Sequence, residues 1–248
     1  QTRKPMHLDL VGIIVVCVAA VLAGISRTGI PGLGMLLVPL VALVMPAMAS
    51  MGFLLLIFVA ADLMSVAYLR RRVAWPRLFR ILPWTVLGVV LGYFAMSFVT
   101  EALFKPMVGS MILIVVGLDL VRRRVGLEFA LESRRFAAAA GILAGIFTMM
   151  ANAAGPIMTI YLLSMNLPKE EFIGTSAYFY FSINLVKVPF SAALGLITWQ
   201  GLKLDLMLVP LIALGCLFGV LIIKRISQRF FNDLVQGLAV LGGVKLLF

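Results

Sequence analysis

Ten apolar segments, near 8–26, 30–45, 48–69, 78–99, 103–121, 136–151, 156–167, 172–195, 204–223 and 231–247, fill most of this 248-residue chain. A helix needs about 20 largely apolar residues to cross a hydrocarbon core. The segments at 48–69, 78–99, 103–121, 172–195, 204–223 and 231–247 reach that length, whereas 30–45, 136–151 and 156–167 are short or interrupted by proline. Those three predict tilted spans, half-helices or re-entrant segments, because irregular backbone at membrane depth needs protein or a water-filled cavity around it. With 63% hydrophobic and 12% charged residues and a mean hydropathy of +1.14, no soluble core accounts for the composition, and the bilayer acts as solvent.

The net charge of +11 is concentrated in the interruptions: Arg70, Arg71 and Arg72 with Arg77 and Arg80; Arg122, Arg123 and Arg124 with Arg134 and Arg135; Lys224 and Arg225 with Arg229. Such clusters, separated by membrane-length segments, leave no soluble domain to carry a basic face, which excludes a nucleic-acid partner. They place the loops at 70–77, 122–135 and 224–230 in the cytoplasm and the nearly neutral 100–103 and 196–205 on the other side. Arg3 and Lys4 pull weakly the other way and leave the side of the N-terminus open. The first segment behind them resembles a signal peptide, but residues 136–151 look alike in mid-chain, where no signal peptide lies.

That likeness extends along the chain. An offset of 121 pairs Gly24 with Gly145 and Gly34 with Gly155; 122 pairs Pro46 with Pro168, Gly52 with Gly174 and Asp62 with Asn184. An offset of 127 pairs Pro83 with Pro210, Gly88 with Gly215, Gly92 with Gly219 and Phe104 with Phe231. Small changes of offset are loop insertions in a duplicated chain. Combined with the basic loops, they make 48–69 run inward and its partner 172–195 run outward, so the halves are inverted. The expected fold is therefore an all-α membrane protein, a polytopic helical bundle of two inverted repeats with about five hydrophobic segments each. Residues 1–125 would form the first repeat and 126–248 the second, within one integral membrane domain.

Each half breaks an apolar run with small, polar and helix-breaking residues, at Ser26-Arg27-Thr28-Gly29-Ile30-Pro31-Gly32-Leu33-Gly34 and at Thr148-Met149-Met150-Ala151-Asn152-Ala153-Ala154-Gly155-Pro156. Paired interruptions of this kind are the best sequence pointer to a transporter's binding site. Arg27 suits an oxyanion, flanked by the Ser26 and Thr28 hydroxyls and by free N–H groups; as the tip of a surface hairpin it would instead be a topology signal. Thr148, Asn152 and Gly155 offer a hydroxyl, an amide and a helix start with its positive dipole end; small residues there also suit plain helix packing. Asp62 is a candidate for carrying a coupling proton, or it pairs with Arg27, Lys187 or an arginine of the 70–72 cluster. Lys187, on a segment with Thr175, Asn184 and Pro189, either attracts an anion or snorkels to the interface.

Other chemistries find little support. His7 beside Asp9 reads as interfacial, and Cys17 and Cys216 give neither a disulfide framework nor a cysteine–histidine metal spacing. Apart from interfacial Asp119 there is no second membrane aspartate for a protease, no serine–histidine pair and no GxxxxGK loop. Neither an enzyme nor a cofactor or metal protein is expected.

The run Gly145 to Pro156, with Tyr161-Leu162-Leu163, Lys169 to Thr175 and Asn184-Leu185-Val186-Lys187-Val188-Pro189, resembles the TauE/SafE sulfite exporter family. The first half is similar in Gly24 to Gly29, Val38-Pro39-Leu40, Ala61-Asp62-Leu63 and the arginines before Trp75. Family members often carry lysine and a denser glycine string where this chain has Arg27 and Ile30 to Gly34. The resemblance implies movement of small sulfur-containing anions such as sulfite, thiosulfate, sulfoacetate or other sulfonates. From the residues comes an anion, since buried cations outnumber the buried acid; the sulfur comes from the resemblance alone.

Together these readings predict a secondary transporter of a small anion in a bacterial-type cytoplasmic membrane, working by alternating access. Ser26, Arg27, Thr28, Gly29, Thr148, Asn152, Gly155, Thr175, Asn184 and Lys187 would bind the substrate, and Asp62 is the candidate for coupling it to protons. An anion channel on the same scaffold, a non-transporting subunit of a membrane complex and assembly into a homo-oligomer all stay open.

Overall fold

The structure is a computed structural model that describes residues 9–29, 33–69, 73–100, 133–165 and 167–225, with 103, 110, 117, 227 and 230. Regular structure among the described residues is entirely helical: α1 (Leu10–Thr28), a 3-10 turn (Leu33–Leu36), α2 (Leu37–Val41), α3 (Ala47–Leu69), α4 (Trp75–Met96), α5 (Arg134–Ala151), α6 (Gly155–Leu163), α7 (Lys169–Ala193) and α8 (Trp199–Arg225). Five of them, α1, α3, α4, α5 and α8, are long and apolar enough to cross a membrane. The segment at 103–121 apart from 103, 110 and 117, the segment at 231–247, His7, Asp119, the arginines at 70–72 and 122–124, and the 125/126 boundary lie outside the described residues.

Local chemistry accounts for most helix ends. Asp9 caps α1 by accepting from the Gly12 N–H at 2.8 Å, and Ser133 caps α5 by accepting from Phe136 at 3.1 Å. Pro76 and Pro156 sit in the first turns of α4 and α6, where no partner for their missing N–H is needed. Asn152 ends α5 in the left-handed region (φ 52°), a conformation that asparagine tolerates better than most residues. One length expectation is corrected here. The 136–151 segment, read as short, gains a turn's start from Ser133 and Arg134 and becomes an 18-residue helix, α5. The two segments that follow α1 and α5 stay short: four residues of 3-10 turn with five of α2, and nine of α6.

The helices bury their apolar surface in two clusters. One joins α1, α2, α3 and α8 through residues such as Ala20, Leu37, Phe58 and Ile212; the other joins α4, α5, α6 and α7 through Ile81, Ala144, Tyr161 and Phe179. Each cluster therefore combines elements from both halves of the chain. Glycines bring the paired helices into backbone contact, as small residues do in membranes, where lipid supplies no hydrophobic drive for helix association. A methyl group on Gly24 would collide with the Ile212 carbonyl and on Gly215 with that of Val21; one on Gly145 would meet the Thr85 carbonyl and on Gly88 that of Ile142. These contacts run in step along the helices, so α1 lies parallel to α8 and α4 parallel to α5. Between the two pairs stand α3 and α7, which touch each other directly.

Candidate functional site

Arg27 occupies the last turn of α1 but not a surface hairpin, since its side chain is only 8% exposed. Its Nε lies 3.2 Å from Oδ1 of Asp62, which is fully buried on α3. The flat guanidinium is sandwiched, with its carbon 4.1 Å from the Phe58 ring centre and 4.3 Å from that of Tyr180. Phe58 and Asp62 are four residues apart on α3, and Tyr180 and Asn184 four apart on α7, so each helix aims one aromatic and one polar group at the same place. A guanidinium tolerates this enclosure because it is weakly hydrated and stacks on aromatic faces. Ser65, one turn beyond Asp62, donates to the Arg27 carbonyl at 2.8 Å and ties the end of α1 to α3.

Asp62 is shared between the helices. Its Oδ2 accepts from Asn184 Nδ2 at 2.6 Å, which links α3 to α7 at the level of the ion pair. Three residues beyond Asn184, Lys187 is 1% exposed, so it does not snorkel. Its ammonium donates to Thr148 Oγ1 at 3.2 Å and to Asn152 Oδ1 at 2.5 Å. The Asn152 amide in turn donates to the Met51 carbonyl at 3.3 Å, so the residue that breaks the α5–α6 run also orients the lysine and reaches α3. The result is one buried layer in which two formal cations face one carboxylate. Arg27 is matched by Asp62, whereas Lys187 rests on neutral oxygens.

Not every residue picked out in the sequence joins this layer. Ser26 Oγ accepts from the Gly34 N–H at 2.9 Å and closes the turn that follows α1. Thr28 donates to the carbonyls of Gly24 at 2.9 Å and Cys216 at 2.8 Å, which fastens α1 to α8. Gly29 lies against Gly219 of α8, where a side chain would not fit. Thr175 Oγ1 accepts from the Ala74 N–H at 2.9 Å and anchors the chain entering α4. Gly155 is buried as the first residue of α6, three positions beyond Asn152. Arg27, Asp62, Thr148, Asn152, Asn184 and Lys187 are brought together. Phe58, Ser65, Tyr180 and Met51 complete the layer without having been singled out.

The sequence held a signal for three of those four. The 121 and 122 offsets relate Arg27 to Thr148, Phe58 to Tyr180, Asp62 to Asn184 and Ser65 to Lys187. Read as columns, these pairs give an aromatic opposite an aromatic and a polar group opposite a polar group.

The polytopic helical chain thus carries a buried, cation-rich layer between its broken segments. The family model described as sulfite exporter TauE/SafE matches residues 15–246, nearly the whole chain. The chain belongs to that family. No curated protein and no solved structure matches it. Membership in the TauE/SafE family makes the chain an integral membrane protein of a transporter family rather than an enzyme family, and implies export of a sulfur compound. It accounts for the apolar helices, and it means that the buried layer lies in a protein whose business is a small-molecule substrate.

Proposed function

We propose that this TauE/SafE protein is a secondary transporter that moves a small sulfur oxyanion or sulfonate, of the sulfite, thiosulfate or sulfoacetate class, across a bacterial-type cytoplasmic membrane by alternating access. The observation that carries the reading is Lys187: a buried ammonium whose hydrogen-bond partners are the neutral oxygens of Thr148 and Asn152, beside an arginine already matched by Asp62. An unmatched cation is expensive in a low-dielectric interior, and an arriving anion offsets that cost. Lys187 supplies the charge; Thr148 and Asn152 turn from the ammonium toward the substrate; the α6 start at Gly155 contributes N–H groups. Asp62 is the coupling group. Taking up a proton would loosen its hold on Arg27 and free the guanidinium for the anion.

Two inverted repeats give this chemistry a way to move. Support comes from the packing: Gly24 meets Ile212 and Gly215, while Gly145 meets Thr85 and Gly88, and the 121 and 127 offsets convert one set of contacts into the other. Asp62 and Asn184, joined across α3 and α7, are themselves related by 122. The pair of α1 with α8 and the pair of α4 with α5 are the rigid arms, and each rocks against α3 and α7 to open the layer to one side at a time. The basic loops favour the cytoplasm for the end of α3 that carries Leu69.

The test is binding and flux on purified protein. Sulfite, thiosulfate, sulfate, sulfoacetate, taurine and a carboxylate are compared by thermal shift in detergent, then by counterflow in proteoliposomes. The reading expects a shift confined to sulfur anions, accelerated exchange, and loss of both in Lys187→Ala. Unchanged affinity and rate in Arg27→Ala and Lys187→Ala would remove the site; flux without counterflow would indicate a channel.

A further inference from the structure

A second acidic group lies outside the layer. Asp205 sits in the second turn of α8, is 5% exposed, and neither of its carboxylate oxygens has a hydrogen-bond partner among the described residues. It lines a cavity of about 440 Å³ between the start of α3 and the start of α8, walled by apolar residues such as Phe53 and Leu56 and by Thr198, Trp199 and Gln200. A carboxylate in this position lacks the donors that normally make a buried charge tolerable.

Among the described residues no cation forms an ion pair with it, and none of those lining the cavity other than Asp205 is ionisable. Lys203 is two residues away on α8, hence on another face, and its ammonium lies 5.5 Å from the centre of the exposed Trp199 ring. From α1, Asp9 is exposed and occupied with the Gly12 N–H. From α3, Asp62 is ten residues beyond Gly52, roughly 15 Å along the helix, and belongs to the Arg27 pair. The fold itself has no need of a charge here. The 127-residue offset sets Asp205 opposite Leu78, which is 1% exposed in the apolar core of the other cluster.

We propose that Asp205 and the adjoining cavity form a binding site for a small monovalent cation, a proton or an alkali ion, which enters through the cavity and neutralises the carboxylate. Oxygen is the right ligand for either. The carboxylate supplies the charge, and the space beside it admits the water that completes an alkali ion's shell. The Gly52 wall of the cavity adjoins Met51, which meets Asn152 of the layer, but lies roughly 15 Å along α3 from the Arg27–Asp62 pair.

Two readouts test it on the full-length protein in detergent. The first is thermal unfolding of the wild type, Asp205→Asn and Asp205→Leu, from acid to alkaline pH, with sodium or choline as the salt. The second is Trp199 fluorescence, read against Trp199→Phe. At alkaline pH in choline both Asp205 variants should unfold several degrees above the wild type, and acid or sodium should close that gap. Closure by sodium at constant pH identifies an alkali ion, and closure by acid alone identifies a proton. If the neutral variants fail to fold, Asp205→Glu is titrated through Trp199, and a displaced midpoint supports the site. Variants no more stable than the wild type with the same acid and sodium response, or a Glu variant with an unmoved midpoint, would overturn it.

Discussion

Arg27 and Lys187 are both enclosed by the bundle, Lys187 more completely, yet their surroundings differ in kind. Arg27 has Asp62 at its edge and the rings of Phe58 and Tyr180 on its faces, so its charge and its surface are both used. Lys187 has two neutral oxygens and, among the described residues, no carboxylate in contact. The first arrangement carries its own counter-charge; the second gains one from a ligand. The difference teaches that counting buried cations finds an anion layer, but partners tell which cation does the reading.

The sharpest way to break the comparison is to strip Arg27 of its match. Asp62→Ala leaves a buried guanidinium unpaired and is expected to cost about 3–5 kcal/mol in thermal or denaturant unfolding. Arg27→Met combined with Asp62→Leu should recover most of that loss, because two apolar residues replace the pair. A double variant as unstable as Asp62→Ala would show that the aromatic sandwich, not the ion pair, holds the layer.

Lys187→Met should do the opposite. Basal stability changes little or rises, while the stabilisation by a saturating anion, about 2.7 kcal/mol at a hundredfold excess over Kd, disappears. Retention of that stabilisation would move the reading cation back to Arg27. Next in size, Gly24→Ala and Gly145→Ala test whether the two arms are equivalent. Each forces backbones apart and should cost about 1–3 kcal/mol, with similar values for the two. A large effect at one and none at the other would break the symmetry. The smallest change is expected from Thr175→Val, about 1 kcal/mol for one lost hydrogen bond to Ala74, with anion affinity intact. A selective loss of affinity there would return Thr175 to the site.

Much of this was legible in the residues. The break at Asn152, the short segments after each interruption and the pairing of Asp62 with Arg27 as one of its named partners follow from hydropathy and charge, whereas the contact of Asp62 with Asn184 was not foreseen. Thr28 and Thr175 illustrate the limit. Each is a hydroxyl in a polar stretch of an apolar segment, indistinguishable in sequence from Thr148, but one bonds the Cys216 carbonyl and the other the Ala74 N–H, neighbours 188 and 101 residues away. Asp205 escaped notice because an aspartate near a span's end reads as interfacial until its burial and empty hydrogen-bonding positions are seen.

The sequence by itself determined the solvent, the helical class, the family and the places where helices break, because transfer free energy and backbone satisfaction in lipid act on each segment wherever it packs. The tertiary structure alone decided that Asp62 neutralises Arg27 and leaves Lys187 to neutral oxygens, and that Asp205 meets a cavity rather than a partner. Those outcomes depend on distances of a few ångströms between segments far apart in the chain, and electrostatic energy in a dry interior is set by such distances.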